Sequence, residues 1–344
     1  MRTTVLLALL VGCDPSGLPG QPDPAAPDTQ RTAVGQDVAD IVHTCDTVLP
    51  EPDEGELCTV IGNPSTATHV LIQGTVLTDL AAFDGGGVLY ENVENGTITC
   101  TGCDCAAEAP ESTLVVSCPD GVVSPGLVNA HDHLSFDLAS PAGHGDERYD
   151  HRHDWRKGRR GHTRLPASGN SGQDAMLYGE IRMLLGGVTS VAGSASVAGL
   201  VRNLDDSGKN GGLGFWEADY RTFPLGDSDG TMSASGCSAY RIDSATRLGS
   251  RVYLPHVAEG IDTEARNEFL CLAGEVPGSR DLIAGNTSIV HGIGLTAGDI
   301  GTMAVEDAEL VWSPRSNVSL YGETAPVAVY RSLGVDIALG TDWT

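Results

Sequence analysis

Residues 122–133 read Val-Val-Ser-Pro-Gly-Leu-Val-Asn-Ala-His-Asp-His. A Pro-Gly turn at 125–126 opens an apolar run that closes on two histidines one residue apart. Successive side chains of a strand point to opposite faces, so His131 and His133 share a face while Asp132 points away. Two imidazoles fixed at one strand end make half of a zinc-type donor set. A lone His-x-His is equally compatible with a solvated surface, and three further runs decide between the readings.

Arg251–Gly260 is a β-branched and aromatic run that ends on His256, with a carboxylate, Glu259, three residues on. Ser288–Gly292 is a second strand-like run, closed by His291 and Gly292. Gly334–Asp342 is a third, ending on an acid. Each run delivers one ligand-type residue at its C-terminal end. Parallel strands of a (β/α)8 barrel present those ends to one common mouth, which would gather all four runs. The expected fold class is therefore α/β, of the TIM-barrel type. Residues 173–185 support it, because Met176, Leu177, Ile181, Leu184 and Leu185 share one helical face. The pattern stops at Gly186-Gly187 and leads into a strand at Val188–Val191. The same order recurs at 297–313, where a helical stretch precedes a strand at Leu310–Trp312. Between Tyr220 and Gly249 the Gly/Ser-rich sequence leaves the fourth strand weakly marked.

The ordered set PGLVNAHDH (125–133), GGVTSV (186–191), HVAEG (256–260), VHGIGL (290–295), WSPRSN (312–317) and ALGTDW (338–343) resembles the amidohydrolase superfamily. The branch is that of the cytosine and guanine deaminases, imidazolonepropionases and triazine chlorohydrolases, and the likeness runs from about Val70 to Thr344. It implies that His131, His133, His256 and Asp342 are metal ligands. It also implies that Glu259 is the proton shuttle and His291 the histidine over the reacting centre. A small β-sandwich at 68–122 would precede the barrel at 123–344, since short alternating runs there are broken by Gly and Asp-Gly. Members of that branch continue beyond the position of Asp342, so a truncated barrel is expected here.

Those residue types suit one chemistry. A divalent ion held by imidazoles and a carboxylate keeps a position for water and lowers its pKa toward neutrality. Asp342 would ligate and accept a hydrogen bond from that water, and Glu259 would carry its proton to the leaving nitrogen. His291 would polarise the substrate C=O or C=N group. The implied reaction is hydrolysis of a non-peptide carbon–nitrogen bond in a small molecule, by deamination of a cyclic amidine or opening of a cyclic amide. Binuclear relatives use a lysine on the fourth strand. The two lysines here, Lys157 and Lys209, lie in loop-type sequence, so one ion is expected, Zn2+ with Fe2+ as the alternative. A different class is an inactive barrel lipoprotein with a binding or structural role; Glu259 and His291 oppose it, because binding needs neither.

Met1-Arg2, the apolar stretch Val5–Val11 and Gly12-Cys13 read as a short secretory leader over residues 1–12. Leu10–Cys13 resembles a bacterial lipobox, which implies lipidation of Cys13 and an extracytoplasmic protein anchored to the inner or outer membrane. Residues 13–67 then form a Pro/Gly/Asp-rich tether and a cysteine-containing lead-in. Eight further cysteines favour disulfides in an exported chain. Cys45–Cys58 and Cys237–Cys271 are the expected pairs, with Cys100, Cys103, Cys105 and Cys118 pairing among themselves or holding a second zinc.

The segment 143–165 carries His144, His151, His153, His162, six arginines and Lys157 in a chain of net charge −26. It reads either as a lid that binds a carboxylate or phosphate of the substrate, or as a solvated loop paired with the acidic surface. A metal site at His151 and His153 is disfavoured by the arginines around them. The acidic balance excludes nucleic acid as a partner. It leaves a small-molecule substrate, with homo-oligomerisation open.

Overall fold

The computed structural model describes residues 41–342 except 94–95, 139–142, 167–168, 171, 212–216 and 250. The leader and Cys13 lie outside the described residues. The chain divides after Gly126 into two compact units.

The first unit holds β1 (Val42–Thr44), β2 (Thr59–Ile61), β3 (His69–Leu77), β4 (Ala82–Glu91), β5 (Ile98–Gly102), the short helix α1 (Cys105–Glu108) and β6 (Thr113–Val123). Hydrogen bonding is continuous across one sheet in the order β1-β4-β3-β6-β2, with β5 on β4. Register shifts between Gly74 and Val76, and between Leu89 and Tyr90, mark bulges that bend the sheet. Alternate residues of β3 cover its two faces. Val70, Ile72 and Val76 pack with Val88 and Val123, while Leu71 packs with Leu89 and Cys105.

Strand pairing also sets the disulfides. The expected Cys45–Cys58 bond is not formed. Cys45 follows β1, which lies on β4 beside β5, and it bonds Cys103. Cys58 precedes β2, whose Thr59 pairs with Ser117 of β6, and it bonds Cys118. Cys100 bonds Cys105, so the cysteine cluster holds disulfides where zinc was the competing reading. Cys237–Cys271 forms in the second unit as expected.

The second unit runs β7 (Leu127–Asn129), α2 (Arg152–Lys157), α3 (Gln173–Leu185), β8 (Val188–Val191), β9 (Arg202–Asn203), β10 (Ala218–Arg221), β11 (Val252–Val257), α4 (Thr263–Leu272), β12 (Ser288–His291), α5 (Ala297–Val305), β13 (Glu309–Trp312), α6 (Pro314–Tyr321), α7 (Val327–Leu333) and β14 (Ile337–Leu339). All its strand pairings are parallel, within a three-stranded sheet β7-β8-β9 and a five-stranded sheet β10-β11-β12-β13-β14. Backbone bonds link the sheets at both edges, Ala218 N–H to Leu204 O at 2.8 Å and Ala130 N–H to Leu339 O at 2.9 Å.

The central strands β11 and β12 are buried on both faces, which is why their sequences read as unbroken apolar runs. Leu254, Val290 and Val311 form one cluster with Ala192 and Ala218. Their neighbours Tyr253, Ile289 and Leu310 point the other way, onto Phe269, Ile300, Met303 and Tyr330 of the surrounding helices. The weakly marked fourth strand is β10. Its sequence, Ala-Asp-Tyr-Arg, has no apolar run and is made a strand by register with β11.

Candidate metal centre and active site

Each site residue leaves the C-terminal end of a strand of the second unit. His131 and His133 follow β7, His256 lies in β11, Glu259 just beyond it, His291 ends β12 and Asp342 follows β14. Three non-glycine residues there adopt left-handed backbone, Ala258 (φ 54°), His291 (φ 78°) and Asp342 (φ 53°). Such angles cost about 1–3 kcal/mol each and turn side chains off the strand direction into the mouth.

The structure brings all six residues together. His131 Nε2 lies 3.0 Å from His256 Nε2, and Asp342 Oδ1 lies 3.8 Å from both His131 Nε2 and His133 Nε2. Two overlapping donor groups result, His131–His256–His291 and His131–His133–Asp342. His291 therefore belongs to the same donor cluster as the four expected ligands. The separations bracket the roughly 3.4 Å expected between tetrahedral ligands at about 2.1 Å from zinc. The fit is good, and the imidazole-rich donors suit Zn2+.

Hydrogen bonds from neighbouring elements fix the rings. Ser313, after β13, holds His131 Nδ1 at 2.7 Å and leaves Nε2 facing the centre. Asn317 of α6 holds His291 Nδ1 at 3.1 Å, and His291 Nε2 lies 3.6 Å from Glu259 Oε2. Tyr321, one turn on, donates to Glu259 Oε1 at 2.7 Å and accepts from Trp155 Nε1 at 2.9 Å. Tyr220 of β10 donates to Asp132 O at 3.0 Å and lies 3.3 Å from His133 Nε2. Asp132 points away from the centre. Its carboxylate accepts from Asn129, from the His133 backbone and from Thr341, joining the strand ends that carry His131, His133 and Asp342.

Burial drives the titration of the centre. It pushes His131 and His256 well below the usual imidazole value and lowers His133, so all three are neutral, as ligation requires. It raises Asp132 to about 7. Burial also acts upward on Asp342, but the surrounding His131, His133 and His291 outweigh it and keep the carboxyl below the usual carboxylate range.

A cavity of about 380 Å³ opens onto this centre. Phe136, Trp155 and Phe223 give it aromatic walls, while Arg156, Lys157 and Arg164 line it with cations. Of the expected histidines in 143–165, His151 and His153 do not reach the centre. They are buried in a separate network with Arg152, Asp227 and Glu268. Lys209 is tied to Ser196 and Asp206, away from the donor cluster.

No family model matches the chain. Over 304 residues it is 26% identical to a 5-methylthioadenosine/S-adenosylhomocysteine deaminase of Halobacterium salinarum, covering 78% of this chain and 67% of that protein. The chain is similar to deaminases of the amidohydrolase superfamily. A triazine hydrolase from Arthrobacter aurescens shares its fold, with a TM-score of 0.51 over 80% of this chain and 72% of that one, at 17% identity. With a metal donor set and a deaminase relative, the chain is a hydrolase of small-molecule carbon–nitrogen bonds other than peptide bonds.

No sequence motif singles out Tyr321, Tyr220, Ser313 or Arg152, or gives Asn317 a role. Ser313 and Asn317 lie inside the WSPRSN segment, which was the available signal. Tyr321 had none, since its role depends on α6 bringing it one helical turn beyond Asn317.

Proposed function

We propose that the chain is a mononuclear metal-dependent deaminase of a small planar nitrogen heterocycle, with both parallel sheets forming one (β/α)8 barrel. The convergence of His131, His133, His256, Asp342, Glu259 and His291 on one cavity carries this reading. The two edge hydrogen bonds between the sheets support the barrel.

His131, His133, His256 and Asp342 would hold the ion. Bound there, zinc supplies a water made acidic enough to react near neutral pH. Tyr321 fixes one oxygen of Glu259, and the other takes a proton from the attacking water and returns it to the leaving nitrogen. His291, oriented by Asn317, stabilises charge that develops on the substrate. Phe136, Trp155 and Phe223 suit a flat ring. Arg156, Lys157 and Arg164 have no carboxylate within ion-pair reach among the described residues, which supports a substrate with an anionic substituent. Four disulfides support an oxidising, extracytoplasmic compartment, with Cys13 as the lipid anchor.

The test is ammonia release from 5-methylthioadenosine and S-adenosylhomocysteine by protein carrying one zinc per chain. Activity should disappear with a chelator and return with zinc. Glu259→Gln should lower kcat by about 10²–10⁴-fold with metal content unchanged. Lys157→Ala with Arg164→Ala should raise KM for the carboxylate-bearing substrate more than for the neutral one. A folded protein without metal affinity, or a Glu259→Gln variant at full rate, sinks the reading.

A further inference from the structure

Beneath the exit of β11 lies a charged network that the mechanism above does not use. Arg152, 1% exposed, opens α2 between two buried histidines. Its guanidinium Nη2 contacts Asp227 Oδ2 at 2.5 Å and Glu268 Oε1 at 3.3 Å. Its Nη1 donates to Thr222 O at 2.8 Å and to His256 O at 3.5 Å. Its backbone N–H donates to Glu259 O at 3.0 Å. Glu268 completes the grip, its Oε2 accepting the Ala258 N–H at 3.0 Å. One ion pair therefore holds the main chain at 256, 258 and 259, across the left-handed Ala258 that aims Glu259 into the cavity.

His151, His153 and Glu268 also have the spacing of a metal site. The guanidinium already lies on both carboxylates. His153 is occupied on both nitrogens, Nε2 by Asp227 at 2.9 Å and Nδ1 by Arg156 at 2.8 Å. His151 Nδ1 accepts the His153 backbone N–H. The cation of this cluster is Arg152.

We propose that Arg152, braced by Glu268 and Asp227, is a positioning residue that sets the direction of Glu259 and His256 and so couples the proton carrier to the metal ligand. The inference rests on the deaminase reading and assigns Arg152 no contact with substrate.

Three proteins distinguish it: the unaltered chain, Arg152→Lys and Glu268→Gln, each loaded with zinc and, separately, with cobalt. Lysine keeps the charge but loses the fork that reaches two carboxylates and two carbonyls. Glutamine keeps an acceptor for Ala258 N–H and weakens the hold on Arg152. Expected for Arg152→Lys is a kcat lower by about 10–100-fold, with KM within about 3-fold, as for sub-ångström misplacement of a catalytic group. Its cobalt absorption bands should shift, because His256 is reoriented, and Glu268→Gln should change the same quantities less. A purely structural role predicts lower melting temperatures with unchanged kcat and unchanged cobalt spectra in both variants, and that result overturns the proposal. If Arg152→Lys does not fold, Glu268→Gln decides between the same two outcomes. An unaltered chain that binds no cobalt and releases no ammonia instead overturns the deaminase reading itself.

Discussion

Tyr321 shows how much one hydroxyl contributes at this site. It donates to Glu259 Oε1 and accepts from Trp155, linking the aromatic wall to the carboxylate proposed to move the proton. A hydrogen bond to a charged acceptor is worth about 1.5–3 kcal/mol. Tyr321→Phe should therefore reduce kcat about 10–100-fold with little change in KM, and steady-state kinetics at saturating zinc would check it. Unchanged kcat would remove Tyr321 from the mechanism. The histidine and acid identities at 131, 133, 256, 259, 291 and 342 were legible as ligand types at strand ends. Their orienting partners were not, because Ser313, Asn317 and Tyr321 act through a helix that meets the site only after folding.

At the scale of elements, the β7 and β14 exits approach so closely that Gly340 is required. A Cβ there would lie 2.6 Å from His131 Cβ and 2.9 Å from His131 O, with Ser313 Oγ at 3.0 Å. Gly340→Ala should push the His131 ring off its Ser313 contact, weaken zinc binding at least 10-fold and lower the melting temperature. Competition with a chromophoric chelator would measure the first effect, and zinc affinity equal to that of the unaltered protein would refute the expectation. The helix Gln173–Leu185 and the strands at 188–191, 252–257 and 288–291 announced themselves by period and apolar runs. β10 did not, since four residues of mixed polarity become a strand only through parallel pairing with β11.

Over the whole molecule, buried imidazoles make the fold sensitive to acid. Burial lowers His153 to about 4 and depresses His131, His133 and His256 in the same direction. The unfolded chain takes up these protons near the ordinary histidine value of about 6.5. The stabilisation is therefore complete above that pH and is lost as pH falls toward the folded values. His153 alone accounts for up to about 3 kcal/mol between pH 6.5 and 4. Because the raised Asp132 carboxyl acts in the opposite sense over the same range, the His153 share is read as a difference: the urea midpoint of metal-free protein should fall relative to that of His153→Gln as pH goes from 6.5 to 4, and parallel profiles would contradict the assignment. Periodicity and residue chemistry are local properties, so the histidines and acids at the strand ends, the βα alternation and the cysteine count are all readable along the chain. The cysteine pairing, the burial of Arg152 between two carboxylates, and the hydroxyls that meet Glu259 and His131 emerge with the folded contacts. Those depend on strand register and on contacts between residues as far apart as 131 and 313, which no local pattern encodes.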